Sequence, residues 1–366
     1  MQITAAVARE PHGDFTIEPL DLAPPGPHEV LVGIAGVGLC HTDLVFRDQF
    51  IPLRLPAVLG HEGAGVVLAV GAQVRKVAAG DSVVLSFASC GACPRCEEHL
   101  PSYCREFVAR NYAGTRPDGT TPLSRDGAAI TGVFFGQSSF ATHAIADERN
   151  VVKVPASDDL AILGPLGCGF QTGAGAVLRT MDCRAGATLA VFGGGPVGLA
   201  AVMAARHRGC ARIVLVEPVA ARRALGLELG ATDVIDPGVG DVPAAIRALL
   251  PHAVDFALET SGREAVVEAA LACLGSHGML GLVGVPPRAD CAVSVNLAGV
   301  ITFGHRIVGI VEGDSDPDCF IPELVAMYRA GAFPFDRLVR TYPLAQINEA
   351  IADQARGDCV KAVLIP

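Results

Sequence analysis

Two short polar runs, Gly38-Leu39-Cys40-His41-Thr42-Asp43 and Leu59-Gly60-His61-Glu62-Gly63, stand between apolar, strand-like stretches. Cys40 and His61 offer a thiolate and an imidazole, ligands that Zn²⁺ prefers. Two ligands do not close a tetrahedron. Gly167-Cys168-Gly169 supplies a third. Three protein ligands with a fourth, open position is the arrangement of a Lewis-acid, catalytic metal rather than a structural one.

A second constellation is denser. Cys90-x-x-Cys93-x-x-Cys96 is followed by Cys104. Four thiolates in one short loop close a tetrahedron around zinc and leave no open position. The loop has too few apolar residues to fold by packing, so the metal must order it. Closely spaced cysteines also suit an iron–sulfur cluster, which is the rival reading. The other six of the 12 cysteines, Cys183, Cys210, Cys273, Cys291, Cys319 and Cys359, show no partner logic and read as small packed residues.

Gly193-Gly194-Gly195-Pro196-Val197-Gly198 satisfies G-x-G-x-x-G. The pattern is weak alone, but an apolar strand, Thr188–Phe192, precedes it and an Ala-rich helix, Val197–His207, follows. A pyrophosphate would then meet backbone N–H groups at a helix N-terminus. Glu217 closes the next strand, about 20 residues on, where a carboxylate accepts the adenosine ribose hydroxyls.

The elements that carry these groups change character along the chain. Up to roughly residue 170, short alternating runs such as Glu29–Ile34 and Gly65–Val70 predict a β-rich domain resembling a small barrel. From Thr188, strands at 188–192, 213–217, 254–259 and 279–285 alternate with helices, which predicts a doubly wound parallel sheet. Beyond about residue 310, turns at Asp314-Ser315-Asp316-Pro317 and Phe333-Pro334 reappear, and the tail is expected to return to the first domain. Uncharged Ala185–Ala205 is long enough to span a bilayer, but its glycine-proline interior argues for strand, turn and helix.

At 366 residues the chain has room for two domains, and 51% apolar with 18% charged residues describes a packed globular enzyme. A net charge of −10 without a basic stripe gives no reason to expect nucleic acid. The N-terminal Ile3-Thr4-Ala5-Ala6-Val7 is strand-like and lacks a basic n-region, so a cytoplasmic protein without a membrane partner is expected.

The zinc triad, the four-cysteine lobe and the dinucleotide loop, in this order, resemble the zinc-dependent medium-chain alcohol dehydrogenases over essentially the whole chain. Leu85-Ser86-Phe87-Ala88-Ser89-Cys90, Val311-Glu312-Gly313-Asp314-Ser315 and Phe320-Ile321-Pro322 are similar to the aryl (benzyl) alcohol dehydrogenase branch, which oxidises aromatic and allylic primary alcohols. The resemblance implies an α/β protein: a β-rich GroES-like catalytic domain and a Rossmann cofactor domain with a doubly wound parallel sheet. It implies a first catalytic segment at 1–169 with the metal lobe at about 88–106, the cofactor domain at 170–310 and a return segment at 311–366. Two zinc ions per chain, NAD, an alcohol or aldehyde substrate and a homodimer or homotetramer follow from it.

Roles follow position by position. Cys40, His61 and Cys168 match the catalytic zinc ligands, and Cys90, Cys93, Cys96 and Cys104 the structural ones. Glu62 matches a carboxylate close to the zinc. Asp43 matches the group that orients the ligand histidine, although an Asp at that place is also a common helix cap. Thr42 matches the hydroxyl that takes the alcohol proton. His41 and Lys361 match partners of the pyrophosphate, Thr172 lies in the segment packed on the nicotinamide, and Arg222 matches a basic residue near the adenosine ribose, with Arg223 beside it. In the glycine loop, Gly193, Gly195, Pro196, Val197 and Gly198 match the phosphate cradle, and Val283 and Val285 match a strand end that meets the carboxamide. One position departs from the pattern. Many relatives place a histidine three residues after the relay hydroxyl, and here that residue is Val45. Two rival functions share the scaffold: a thiol-dependent formaldehyde dehydrogenase, and a non-catalytic dinucleotide-binding structural protein.

Overall fold

Alternation of buried and exposed side chains along the N-terminal strands shapes the first part of the structure, a computed structural model that describes residues 1–156 and 159–366. Glu29–Gly38 presents every second residue to the interior as far as Gly36, with Val30, Val32 and Ile34 buried, and its last residues, 36–38, are buried throughout. It pairs antiparallel with Gly63–Val70 and with His143–Asp147. Among the described residues these strands belong to a seven-stranded sheet. Its main path runs Val151–Lys153, Ser82–Leu85, Gly63–Val70, Glu29–Gly38, Lys361–Ile365, Val339–Pro343. A second sheet has five strands, with Gln2–Ala8 and Thr16–Leu22 at its centre. A continuous apolar cluster that includes Phe46, Leu59, Phe134, Phe140 and Leu364 fills this unit.

Compact packing divides the chain into two units. One comprises residues 1–169, 315–326 and 336–366; the other comprises 170–314 and 327–335. The tail therefore does not return in one piece. Met327–Phe335 stays with the second unit because Tyr328 and Phe335 form an aromatic contact there, centroids 4.6 Å apart, and Phe335 also packs 5.2 Å from Phe170.

The second unit is built on a parallel sheet of six strands, in the order Asp233–Ile235, Arg212–Val216, Thr188–Phe192, Val254–Glu259, Leu274–Leu282, Arg306–Gly309. The order reverses between Thr188–Phe192 and Val254–Glu259, which is the switch point of a doubly wound fold. Strand Leu274–Leu282 ends before Val283 and Val285, so both lie in the loop beyond it and not in the strand. Ala185–Ala205 folds as strand, glycine turn and helix, and no helix among the described residues is long and apolar enough to cross a membrane. The helix Pro196–Arg208 starts on a proline and stops at Gly209, φ 79°; its residues 198–205 are all buried. Gly198 is required there, since a Cβ would lie 1.9 Å from Gly193 O.

Buried charge also links strands of the five-stranded sheet. Glu18 accepts from Arg9 Nε (2.6 Å) and Arg9 Nη2 (2.5 Å), and also from Arg125 and Thr16. The Arg9 hydrogen bond, outweighing burial and aided by Thr16 and Arg125, holds the carboxyl down at about 2. A carboxyl lowered by folding contributes stability that is complete above its unfolded value and lost as pH falls through the folded one. Both arginines are partly exposed, so screening limits the effect. Glu18→Gln should therefore cost about 1–2 kcal/mol at neutral pH. The gap in urea midpoint between wild type and variant should narrow as pH falls below about 4.5. A gap independent of pH between 7 and 3 would show that the carboxylate charge is not what holds these strands.

Candidate active site

Cys40 sits at the N-cap of helix His41–Arg47. Its backbone N–H donates to Asp43 Oδ2 at 2.9 Å, in the first turn, where an acid meets the free helix donors. The other oxygen, Oδ1, accepts from Gly60 N (3.1 Å) and from His61 Nδ1 (2.9 Å). Asp43 is thus not the N-cap, which is Cys40, but the acid three residues on that accepts from the N-cap backbone, and the same carboxylate, 0% exposed, meets His61 Nδ1.

With Nδ1 committed to Asp43, Nε2 of His61 carries the ring's lone pair. It is buried and has no hydrogen-bond partner. Cys40, His61, Glu62 and Cys168 each bring one ligand atom to within 4.8 Å of the others. An orphaned imidazole nitrogen aimed at two thiols, with its far nitrogen on a carboxylate, is the donor set of a zinc site. These residues fit the metal.

Cys168 reaches the cluster from the end of the tight turn Gly164–Gly167. Ser86 Oγ fixes that turn by donating to Gly167 O at 2.7 Å. Glu62 lies on the other side. Gly169 N donates to its Oε1 at 3.2 Å, and the Lys361 ammonium forms an ion pair with its Oε2. Lys361 also donates to Leu39 O at 3.0 Å and is 1% exposed. The resemblance matches Lys361 to a partner of the pyrophosphate; in this structure its ammonium is enclosed against Glu62. Gly38 leaves room for this pair, since a Cβ there would stand 1.9 Å from Glu62 Oε2.

The charges in the cluster are strongly coupled. A hydrogen bond from Cys168, with help from His61 and against burial, holds the Cys40 thiol well below its usual range. Burial alone would lower His61, but Asp43 and Cys40 together hold it well above its ordinary value. Burial pushes Glu62 up while Lys361 pulls against it. Lys361, despite burial, is kept above its usual value by Glu62 and Cys40.

An aromatic wall borders His61. Phe135 stacks on the imidazole with centroids 4.6 Å apart and planes at 28°, and Phe134 meets it edge-on at 5.6 Å. Phe46, Phe107 and Tyr112 pack behind them. Phe135 has φ 49°, in the left-handed region that aromatic residues rarely adopt. Strain of this kind collects at sites where a side chain must face a defined direction.

In the lobe, three sulfur–sulfur distances are 3.9 Å (Cys90–Cys96), 3.6 Å (Cys93–Cys96) and 4.0 Å (Cys93–Cys104). A tetrahedron of Zn–S bonds of about 2.3 Å has edges of about 3.8 Å, which matches them. Backbone N–H groups of Cys90 and Glu106 point at Cys104 Sγ, and that of Arg105 at Cys93 Sγ. The Arg105 bond, with that of Cys96, lowers the Cys93 thiol to about 6.

In the second unit, Gly194 N donates to Glu217 Oε2 at 2.5 Å, and Val219 N to Oε1 at 2.8 Å. The acid at the strand end is therefore held directly against the glycine loop. The two arginines beyond it differ. Arg223 donates to Glu217 O (2.7 Å) and Pro218 O (2.8 Å), and pairs with Asp236 (2.9 Å). Arg222 keeps a buried Nε with no hydrogen-bond partner. Thr172 is buried in helix Gly169–Gly175, whereas Val285 is exposed.

The chain matches the family model of the alcohol dehydrogenase GroES-like domain over residues 26–156 and that of the zinc-binding dehydrogenases over residues 196–327. It belongs to the zinc-dependent medium-chain alcohol dehydrogenases. A geraniol dehydrogenase of Castellaniella defragrans is 48% identical over 363 residues, covering 99% of this chain and 97% of that one. The crystal structure of an alcohol dehydrogenase zinc-binding domain protein from Burkholderia ambifaria superposes with a TM-score of 0.98 at 49% identity, over 100% of this chain and 99% of that one. That of benzyl alcohol dehydrogenase from Acinetobacter calcoaceticus gives 0.96 at 40% identity, with the same coverage.

In this dehydrogenase, spacing and residue type led to Cys40, His61, Cys168, the lobe and Glu217. They did not lead to Phe134 and Phe135 against His61 or to Phe46, Phe107 and Tyr112 behind them, which come from three separate segments. The one local signal was Phe134-Phe135-Gly136, two bulky residues ahead of a glycine with φ 68°. His41 lies exposed at the start of its helix. Val45, one turn beyond Thr42, is buried.

Proposed function

We propose that this dehydrogenase oxidises aromatic or allylic primary alcohols to aldehydes, with hydride passing to NAD⁺. The observation that carries the reading is the pairing of the three-ligand cluster, whose His61 Nε2 has no partner, with the stacked ring of Phe135 on that same imidazole. An aromatic or flat allylic group finds an apolar, planar surface beside the reacting centre. The geraniol and benzyl alcohol dehydrogenases that resemble this chain act on alcohols of these two kinds.

Cys40, His61 and Cys168 would hold the catalytic zinc, which supplies Lewis acidity that makes an alcohol proton easier to lose. Asp43 fixes the His61 tautomer and ring angle, so the ligand set needs no rearrangement. The Glu62–Lys361 pair keeps a carboxylate beside the cluster without adding net charge. Thr42 takes the proton at its hydroxyl. Glu217 would receive the adenosine ribose hydroxyls and repel a 2′-phosphate. Arg222, and not the structurally engaged Arg223, is the arginine left to meet the cofactor.

We further read the outer strand Arg306–Gly309 as the self-association edge. It ends the parallel sheet, and helix Leu297–Phe303 beside it exposes Leu297, Ile301 (80%) and Phe303. Such a patch next to an open strand is a surface that a second copy covers. Sedimentation should show a homo-oligomer for wild type and a smaller species for Ile301→Glu. A wild-type monomer would refute this edge.

A steady-state panel of benzyl, cinnamyl, geranyl-type and short aliphatic alcohols tests the main reading. The expected outcome is kcat/KM at least tenfold higher for the aromatic and allylic alcohols, and for NAD⁺ over NADP⁺. Preference for short aliphatic alcohols, or NADH formation from formaldehyde that depends on added thiols, would overturn it.

Proton exit is the point at which this chain differs from many relatives. Val45 can neither donate nor accept, so no protein base stands one turn beyond Thr42 to receive the proton. General-base catalysis contributes about 10²–10⁴-fold where it operates. Val45→His should raise the oxidation rate near neutral pH and draw the pH profile toward about 6.5, the ordinary histidine value. An unchanged rate and profile with normal NAD⁺ binding would show that proton exit limits nothing.

A further inference from the structure

Two thiols outside both metal clusters meet at the base of the cofactor unit. Cys183 ends the turn after the helical segment Ala176–Thr180, its N–H donating to Val177 O at 3.0 Å. Cys210 stands between helix Pro196–Arg208 and strand Arg212–Val216, its N–H donating to Ala205 O at 3.0 Å. Backbone bonds lace the two turns together: Gly186 N to Gly209 O and Ala211 N to Ala187 O, both 2.8 Å. Cys210 Sγ lies 4.0 Å from Arg184 O, one residue beyond Cys183, so the two laced turns bring the two cysteines to the same place in the unit. Cys183 is fully buried, while Cys210 is partly open to solvent. Nothing in the spacing of these cysteines announced a pair.

We propose that Cys183 and Cys210 are a redox modification site, a dithiol that peroxide converts to a reversible disulfide. The partly exposed sulfur reacts first. The hydrogen bond from Cys183, with the charge of Arg208, lowers the Cys210 thiol, and Cys183 is correspondingly raised. Cys210 thiolate attacks one oxygen of hydrogen peroxide; the S–O bond forms, the O–O bond breaks and hydroxide leaves. The Cys183 sulfur then attacks the Cys210 sulfenic acid. The S–S bond forms, the S–O bond breaks, and the sulfenic oxygen departs as water with the Cys183 proton. Two thiols are oxidised and one peroxide is reduced to two waters. A dithiol reductant reverses the change by exchange.

Position decides the consequence. The closed loop runs from 183 to 210 and contains the strand Thr188–Phe192, the glycine loop and the helix Pro196–Arg208. The thiols lie at the N-terminal end of that strand and Gly193 at the other. Five residues at about 3.3 Å each separate them, roughly 16 Å. The cross-link therefore leaves the phosphate cradle untouched and restricts the unfolded chain, which stabilises the unit.

The test uses the zinc-loaded, full-length dehydrogenase treated with graded hydrogen peroxide, alkylated and digested. The expected result is a peptide pair joined through Cys183 and Cys210 that dithiothreitol separates, formed before a colorimetric chelator detects released zinc. The oxidised enzyme should unfold several degrees higher than the reduced one, with NAD⁺ affinity unchanged. Cys210→Ser should lose both the linked peptide and the rise in melting temperature while keeping the alcohol oxidation rate of the reduced enzyme. The proposal is overturned if zinc is released first, if Cys210 proceeds to sulfinic acid without the link, or if Cys210→Ser shows the same rise. Peptide mapping of the wild type decides the matter even if that variant folds poorly.

Discussion

Asp43 is a buried carboxylate with three donors, and each donor belongs to a backbone or side chain that must be placed for the metal. Cys40 N and Gly60 N fix the two loops on which the ligands stand, and His61 Nδ1 fixes the ligand itself. A carboxylate taken out of water costs several kcal/mol unless charge-assisted hydrogen bonds replace its hydration. Here the replacement is complete only when both loops are in register. The cost of burial thus becomes a constraint on geometry: a misplaced Gly60 loop would leave a charge unsatisfied. That is why two ligands about 20 residues apart in sequence arrive together on a framework of β-strands.

The second unit applies the same device. Glu217 has no metal ligand to orient, yet its oxygens accept from Gly194 N and Val219 N, one on the phosphate loop and one at the start of the following turn. The glycine loop is thereby braced at the end of Thr188–Phe192 by a single carboxylate. Arg223 completes the frame through the Glu217 and Pro218 carbonyls. Loop shape rests on one residue, so a change at Glu217 alters it.

Ligands and loops were legible in the sequence because their signals are local. Cys-x-x-Cys spacing, a glycine run after an apolar strand and an acid at the next strand end all depend on neighbours within a few tens of residues. The doubly wound sheet was legible for the same reason, through alternation of strand and helix. What stayed hidden depends on contacts across the chain. Lys361 meets Leu39 over a separation of 322 residues, and only the pairing of Lys361–Ile365 with Glu29–Gly38 brings it to Glu62. The aromatic wall is drawn from residues near 46, 107, 112 and 134, with no period to mark it. Val283 and Val285 were read as strand because they are β-branched and follow an apolar run, but the strand stops at Leu282, ahead of the Gly284-Val285-Pro286 turn. Cys183 and Cys210 sit at opposite ends of a βα unit, and only its closure joins them.

The position of Lys361 bears on how the cluster tolerates its own charge. Two thiolates would balance the two charges of a zinc ion held by Cys40, His61 and Cys168. Asp43 is compensated by its three donors. Glu62 would then be a bare buried anion beside an electrically balanced metal, and it would either protonate or compete for the ion. The ammonium of Lys361 removes both alternatives by pairing with it at full burial. Replacing Lys361 by a neutral residue would leave Glu62 as an uncompensated buried charge in the cluster. The lysine that the resemblance matched to the cofactor is thus also the counter-charge of Glu62, a carboxylate grouped with Cys40, His61 and Cys168.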